Sequence, residues 1–168
     1  MVSRDAFWHR ETQLNEKTES VVTLGWREWV SLPGLGIDRI KAKVDTGART
    51  SALHAFQIEE FEQQGQTWVR FKMHPVQRDN ETVTECVAQA IDQRVVSDSG
   101  GHREKRWVIR SDIVIGPHRW PAEFTLTSRD DMLFRMLLGR TAMKNRVLVD
   151  PAKSYLVGKS KEASSGGQ

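Results

Sequence analysis

Residues 40–54 read Ile40-Lys41-Ala42-Lys43-Val44-Asp45-Thr46-Gly47-Ala48-Arg49-Thr50-Ser51-Ala52-Leu53-His54, and this stretch decides how the rest of the chain is read. Ile40, Ala42 and Val44 alternate with Arg39, Lys41 and Lys43, the period of a half-buried strand. Asp45 follows at the strand's end, ahead of Thr46, Gly47, Ala48 and a run of small residues. Its carboxylate can therefore sit at the mouth of a buried strand, where Gly47 lets backbone approach closely. The Asp-Thr-Gly triplet alone is a weak signal, since the chain carries a second version, Asp98-Ser99-Gly100. That one lies in a Ser/Gly cluster before His102-Arg103-Glu104-Lys105 and reads as a hairpin tip.

Outward from this stretch the pattern stays mostly β. Trp26 to Val30 alternates, and further strands are expected at Thr67 to Met73, Val83 to Ile91, Arg106 to Ile115 and Arg119 to Thr127. Turn chemistry separates them at Gln63-Gln64-Gly65, Arg78-Asp79-Asn80, Asp98 to Gly101 and Gly116-Pro117. Short helices are expected at Arg129 to Met136 and Arg140 to Asn145, with Leu137-Leu138 between them as a buried strand or a turn into one. Val147 to Val149 and Ser154 to Val157 read as closing strands. Many strands with one or two short helices predict a mainly β, small, closed barrel-like fold. The domain is expected over residues 21–158, between a flexible leader at 1–20 and a disordered tail at 159–168.

A second element reinforces the first. Leu137-Leu138-Gly139-Arg140, a helical stretch and then Val147-Leu148-Val149 give the order apolar-apolar-Gly, helix, strand. With both elements in this order, the chain resembles the retropepsin-like aspartic peptidases, and residues 40–54 resemble the bacterial RimB family more closely. Leu138-Gly139-Arg140-Thr141 and Val149-Asp150-Pro151 support that match. The resemblance implies a retropepsin (acid protease) fold with Asp45 catalytic and Thr46, Gly47, Ala48, Leu138 and Gly139 supporting its loop. It also implies a link to ATP-grasp glutamate ligases and the trimming of glutamate tails added to a ribosomal protein.

The residue types suit that chemistry. Two carboxylates held close together share one proton, so one can take a proton from water while the other gives one to the scissile carbonyl. One chain offers a single credible aspartate, because Asp98 lacks its own apolar-apolar-Gly partner. The expected dyad therefore joins Asp45 to its counterpart in a C2 homodimer. Thr46 is expected to fix the loop through its hydroxyl. In retroviral enzymes an aspartate two residues after the triplet pairs with the arginine after the apolar-apolar-Gly strand. Here Arg140 keeps that arginine, but Arg49 takes the aspartate's place. The two guanidiniums would face one region and attract an acidic substrate side chain, or else an internal acid such as Asp150 or Glu59.

Composition narrows the alternatives. The 168 residues are 38% hydrophobic and 28% charged, with net charge +3, as in an ordinary globular domain. Lys and Arg form no dense run, which argues against dedicated nucleic-acid binding. No apolar stretch is long enough for a membrane span. A single cysteine, Cys86, and a polar N-terminus point to the cytoplasm. RimB relatives often carry a label as ATP-dependent zinc proteases. However, His9, His54, His74, His102 and His118 show no ligand spacing and no Gly-x-x-x-x-Gly-Lys run occurs, so no metal or other cofactor is expected. Cys86 reads as a packing residue and the six tryptophans as core or interface. The competing reading is a catalytically silent dimeric module that docks a ligase or ribosomal protein.

Overall fold

The computed structural model describes residues 21–97, 100–128 and 133–158. Along these run β1 (Val22–Leu24), β2 (Arg27–Leu32), β3 (Ile37–Val44), β4 (Ser51–His54), β5 (Phe56–Gln63) and β6 (Gln66–Met73). After them come β7 (Thr84–Ser97), β8 (Arg103–Ile115), β9 (His118–Thr127), β10 (Met136–Leu138), helix α1 (Arg140–Met143) and β11 (Val147–Val149). No described helix is long and apolar enough to cross a membrane.

The expected barrel is present. The main sheet runs β2-β3-β10-β4-β9-β8-β7-β6-β5, and β2 also pairs with β8 through Ser31 and Val114. That last pairing closes six strands, β2, β3, β10, β4, β9 and β8, into a ring, while β7, β6 and β5 extend beyond it. Ile40, Leu53, Ile109, Phe124, Leu126 and Met136 fill the inside, all essentially inaccessible to solvent. Strand alternation drives this burial: Val30 and Leu32 of β2, and Ile40, Ala42 and Val44 of β3, turn inward. Gln64 and Gly65, both at positive φ, make the tight β5–β6 turn expected at Gln63-Gln64-Gly65.

Two expected elements differ. The helix expected at Arg129 to Met136 falls partly outside the described residues. Its described part is bend at 133–135, and Met136 already belongs to β10. Pairing with β3 and β4 outweighs the local helical pattern there. Ser154 to Val157 is not a strand but a run of bends with Tyr155 at positive φ. The leader, the tail and the Asp98-Ser99 tip lie outside the described residues.

A buried acid explains the second difference. Glu28 is fully buried on β2, where alternation calls for an apolar residue. Its Oε1 accepts the backbone N–H groups of Gly25, Leu156 and Val157 at 3.2, 2.9 and 3.1 Å, and Oε2 accepts that of Gly158 at 3.3 Å. Four amide dipoles replace the water the carboxylate lost on burial. They bend residues 154–158 around one side chain instead of letting them extend. Glu28→Ala leaves these donors unsatisfied and is expected to cost about 3 kcal/mol or more. Urea unfolding should show the midpoint falling with an unchanged slope, and Glu28→Gln, which keeps one acceptor oxygen, should lose less.

Candidate active site

β3 delivers Asp45 to the surface, half-buried, where the chain breaks from the strand. β10 holds it there. β10 runs parallel to β3 with Leu138 opposite Val44, and the Asp45 amide continues the ladder by donating to the Leu138 carbonyl at 2.9 Å. The Asp45 carboxylate turns back on its own loop, Oδ1 accepting the Gly47 N–H at 2.9 Å. A Cβ on Gly47 would lie 3.2 Å from that oxygen, so any side chain there would press the carboxylate a few tenths of an ångström out of place.

The loop is bound to the segment after β10 at several points. The Arg140 and Thr141 amides donate to the carbonyls of Ala48 and Arg49, both at 2.9 Å. Arg140 Nη1 donates to the carbonyls of Thr46 and Gly47 at 2.9 and 3.0 Å. Buried Ser51 accepts the Gly139 N–H on its hydroxyl oxygen at 3.0 Å. Gly139 packs so tightly that a Cβ would fall 2.6 Å from the Thr50 carbonyl carbon. Thus Asp45, Thr46, Gly47, Ala48, Arg49, Leu138, Gly139 and Arg140 gather in one place.

Three details correct the sequence reading. Among the described residues the Thr46 hydroxyl makes no hydrogen bond, and Arg140 Nη1 ties the loop through the Thr46 and Gly47 carbonyls. Arg140 is held by loop carbonyls, with neither Asp150 nor Glu59 as its partner. Arg49 is exposed, and among the described residues its guanidinium has no partner. Sequence reasoning missed Ser51, whose signal was a small polar residue opening an otherwise buried strand, Ser51–His54.

Two clefts flank the loop. One, of about 730 Å³, is lined by Gly47 to Thr50, Ala52 and Leu137 on one side and by Val95, Val96, Ser97 and Arg106 of the β7–β8 hairpin on the other. The hairpin of β7 and β8, and not that of β5 and β6, therefore stands over the loop. Arg94 and Arg106 also line this cleft. Arg94 pairs with Asp92 and Glu123, and Arg106 with Glu104. Side-chain hydrogen bonds to Asp92 and Glu123 hold the Arg94 guanidinium firmly in its charged form, and the same bond from Arg94 draws the Asp92 carboxyl below its usual range. Arg49 is left as the cleft's unneutralised cation. The second cleft, of about 630 Å³, lies between Thr46, Arg49 and Arg140 and the apolar Met143, Val147 and Val149.

Cys86 is buried in β7, and burial pushes its thiol up to about 12, so it has no nucleophilic role at neutral pH. His54 is buried in β4. Among the described residues no three His, Cys, Asp or Glu side chains gather to ligate a metal, so the described residues do not fit the zinc of that label.

A closed six-strand barrel carrying an Asp-Thr-Gly loop braced by an apolar-apolar-Gly strand defines a retropepsin-like domain. The chain belongs to the RimB-like family, described as retropepsin-like aspartic endopeptidase RimB, which matches residues 23–160. A crystal structure of a Legionella pneumophila protein of unknown function (DUF785) superposes with TM-score 0.68 at 26% identity, covering 80% of this chain and 97% of that one. Similar curated proteins are named probable alpha-L-glutamate ligases. That of Shewanella halifaxensis is 47% identical over 139 residues, covering 83% of this chain and 30% of the relative. That of Parasynechococcus marenigrum is 49% identical over 137 residues, covering 82% and 29%. The chain thus spans under a third of the length of these relatives.

The bracing yields a test. Gly139→Ala should disrupt folding, because backbone lies where the methyl would go. Ser51→Ala, which strands a single buried N–H, should fold with a loss of about 1–3 kcal/mol in chemical denaturation.

Proposed function

We propose that the chain is a homodimeric aspartic endopeptidase in which Asp45 of each protomer forms one half of a shared dyad. The observation that carries this reading is the Asp45 carboxylate itself. At a half-exposed loop the carboxylate accepts the Gly47 N–H while the Asp45 amide donates to the Leu138 carbonyl, and the acid lining the adjoining cleft among the described residues, Glu123, is already engaged by Arg94 and Arg110. The second cleft and the two-stranded sheet of β1 and β11, each with one edge unpaired among the described residues, support a seat for the partner beside the loop. Leu148 of β11, 63% exposed, offers that seat an apolar contact.

In the dyad, two carboxylates share one proton. The charged one takes a proton from water as the oxygen attacks the scissile carbonyl carbon, and the other gives its proton to the carbonyl oxygen. The tetrahedral intermediate collapses by breaking the C–N bond, with the proton taken from water passing to the leaving amine. An acid and an amine result, and the dyad returns to its starting protonation.

The substrate we propose is an acidic, glutamate-rich tail, such as one added to a ribosomal protein by an ATP-grasp ligase. Support comes from relatives that carry this domain in chains named as glutamate ligases, and from Arg49, which can fork onto a carboxylate in the cleft.

Incubation with a glutamate-tailed peptide, read by mass spectrometry, tests the activity. Asp45→Asn is isosteric and should abolish cleavage while keeping the fold and self-association. Chelation with phenanthroline should leave cleavage intact, since carboxylates activate the water; loss restored by zinc would favour the metallopeptidase label. A statine-type transition-state mimic should bind, which a silent docking module would not do.

Assembly gives a separate test. Specific activity should fall on dilution in step with dimer dissociation followed by sedimentation, because a lone protomer holds half a site. A fully active monomer would exclude the shared dyad.

A further inference from the structure

We infer that the outer face of β2 and β3 is an exosite that holds the extended acidic part of the substrate and leads toward the cleft lined by Gly47 to Thr50, the loop that follows Asp45. The inference rests on the peptidase reading above for its substrate class. β3 turns Arg39, Lys41 and Lys43 outward while Ile40, Ala42 and Val44 are buried. Arg27 of β2 stands opposite Lys43 in register, and Trp29 stands opposite Lys41. Like charges directly opposite one another on a sheet repel, so this face favours an anion between them.

Nothing in the described chain neutralises the four cations. Arg70, Arg94, Arg106, Arg110 and Arg119 each reach a carboxylate, but Arg27, Arg39, Lys41 and Lys43 reach none among the described residues. Their contacts are neutral or aromatic. Arg27 Nε donates to Ser154 Oγ at 3.2 Å, and its guanidinium lies 4.6 Å from the Trp26 ring centroid and 5.0 Å from that of Tyr155. Arg39 and Lys41 lie 5.2 and 5.1 Å from the Trp29 ring, and Lys41 Nζ donates to Gln77 Oε1 at 3.2 Å. The rings hold these cations in place without cancelling their charge. The acid on β3, Asp38, lies at the far end of the strand from Asp45.

Register ties this face to the cleft. Leu137 of β10 pairs with Lys43, and Leu137 lines the cleft beside Arg49. Partners in register project to the same side of a sheet, so Lys43 stands at the cleft's rim and the row leads away from it. Outward residues on a strand repeat about every 6.6 Å, and so do alternate side chains of an extended peptide. Glutamates at every second position of such a tail meet Lys43, Lys41 and Arg39 in turn. Single-stranded nucleic acid fits less well, because the ring faces that would stack bases already carry the chain's own cations.

The test uses the full chain with Asp45→Asn, so that peptide is bound and not cut, and a fluorescein-labelled peptide bearing consecutive glutamates. Adding Arg39→Gln and Lys43→Gln together should weaken binding roughly tenfold. Arg39→Lys with Lys43→Arg should bind as the parent does, and an oligouridylate should compete poorly. In the chain with Asp45 intact, the two glutamine changes should raise KM for long glutamate peptides and leave kcat/KM for a short peptide filling only the cleft unchanged. Unchanged affinity in a folded glutamine double variant overturns the exosite, as does tighter binding of oligouridylate than of the peptide. If the peptide binds through these residues but wild-type protein cuts nothing, the exosite stands and the peptidase reading falls. If cleavage occurs with a KM indifferent to these charges, the reverse holds.

Discussion

The pairing of β10 with β3 is only three residues long, yet both the barrel and the Asp45 loop depend on it. β10 lies between β3 and β4, so without it the ring of six strands is open. The same strand offers the Leu138 carbonyl to the Asp45 amide, and the chain then passes through Gly139 with no room for a side chain. Three residues make few contacts, and loop closure over such a sequence separation is costly in entropy. The hydrogen bonds at Ala48, Arg49 and Ser51, with the Arg140 guanidinium on Thr46 and Gly47, supply what the short ladder lacks. A candidate catalytic carboxylate must be held to a fraction of an ångström, and here the fold's closure does the holding.

Charge is distributed with the same economy. On the β7–β9 side of the cleft, the arginines are matched with acids: Arg94 with Asp92 and Glu123, Arg106 with Glu104. Such exposed pairs add little stability, but they leave that wall near neutral. On the loop side Arg49 has no such match among the described residues, and the outer face of β2 and β3 has none there for four cations. The asymmetry sets the cleft's potential, because a cation within a low-dielectric rim acts more strongly than one surrounded by water.

Much of this was legible in the sequence. Alternation from Arg39 to Val44 put Asp45 at a strand's end, and Leu137-Leu138-Gly139-Arg140 announced its brace. The loop's residues came together as expected because both signals are local. Long-range pairing was harder to see. The stretch at 133–136 has no strand period of its own and becomes extended through neighbours distant in sequence. Residues 154–157 alternate like a strand, but their amides converge on Glu28, and no local pattern reveals a shared acceptor far away in the chain. Arg140 was legible as a functional position, but its partners were not, since backbone carbonyls leave no mark in the sequence.

Glu28 itself did leave a mark: a charged residue at an inward position of β2. That anomaly links the inside of the barrel to its outside. By gathering the amides of Leu156 to Gly158, Glu28 brings the preceding residue, Tyr155, against β2, where its amide donates to the Arg27 carbonyl at 2.9 Å and its ring stacks on Trp29 at 6.1 Å. The Arg27 guanidinium then lies over Tyr155 and Trp26, directly across the strand pair from Lys43. The Arg27 cation of the outer face is thus positioned by the buried Glu28 side chain on the opposite face of the same strand. Alternation puts Glu28 inward and Arg27 and Trp29 outward, so a one-residue slip of β2 would expose the anchor and bury the cation. The pairing of β2 with β3 therefore fixes the barrel wall, the anchored segment and the charged face together.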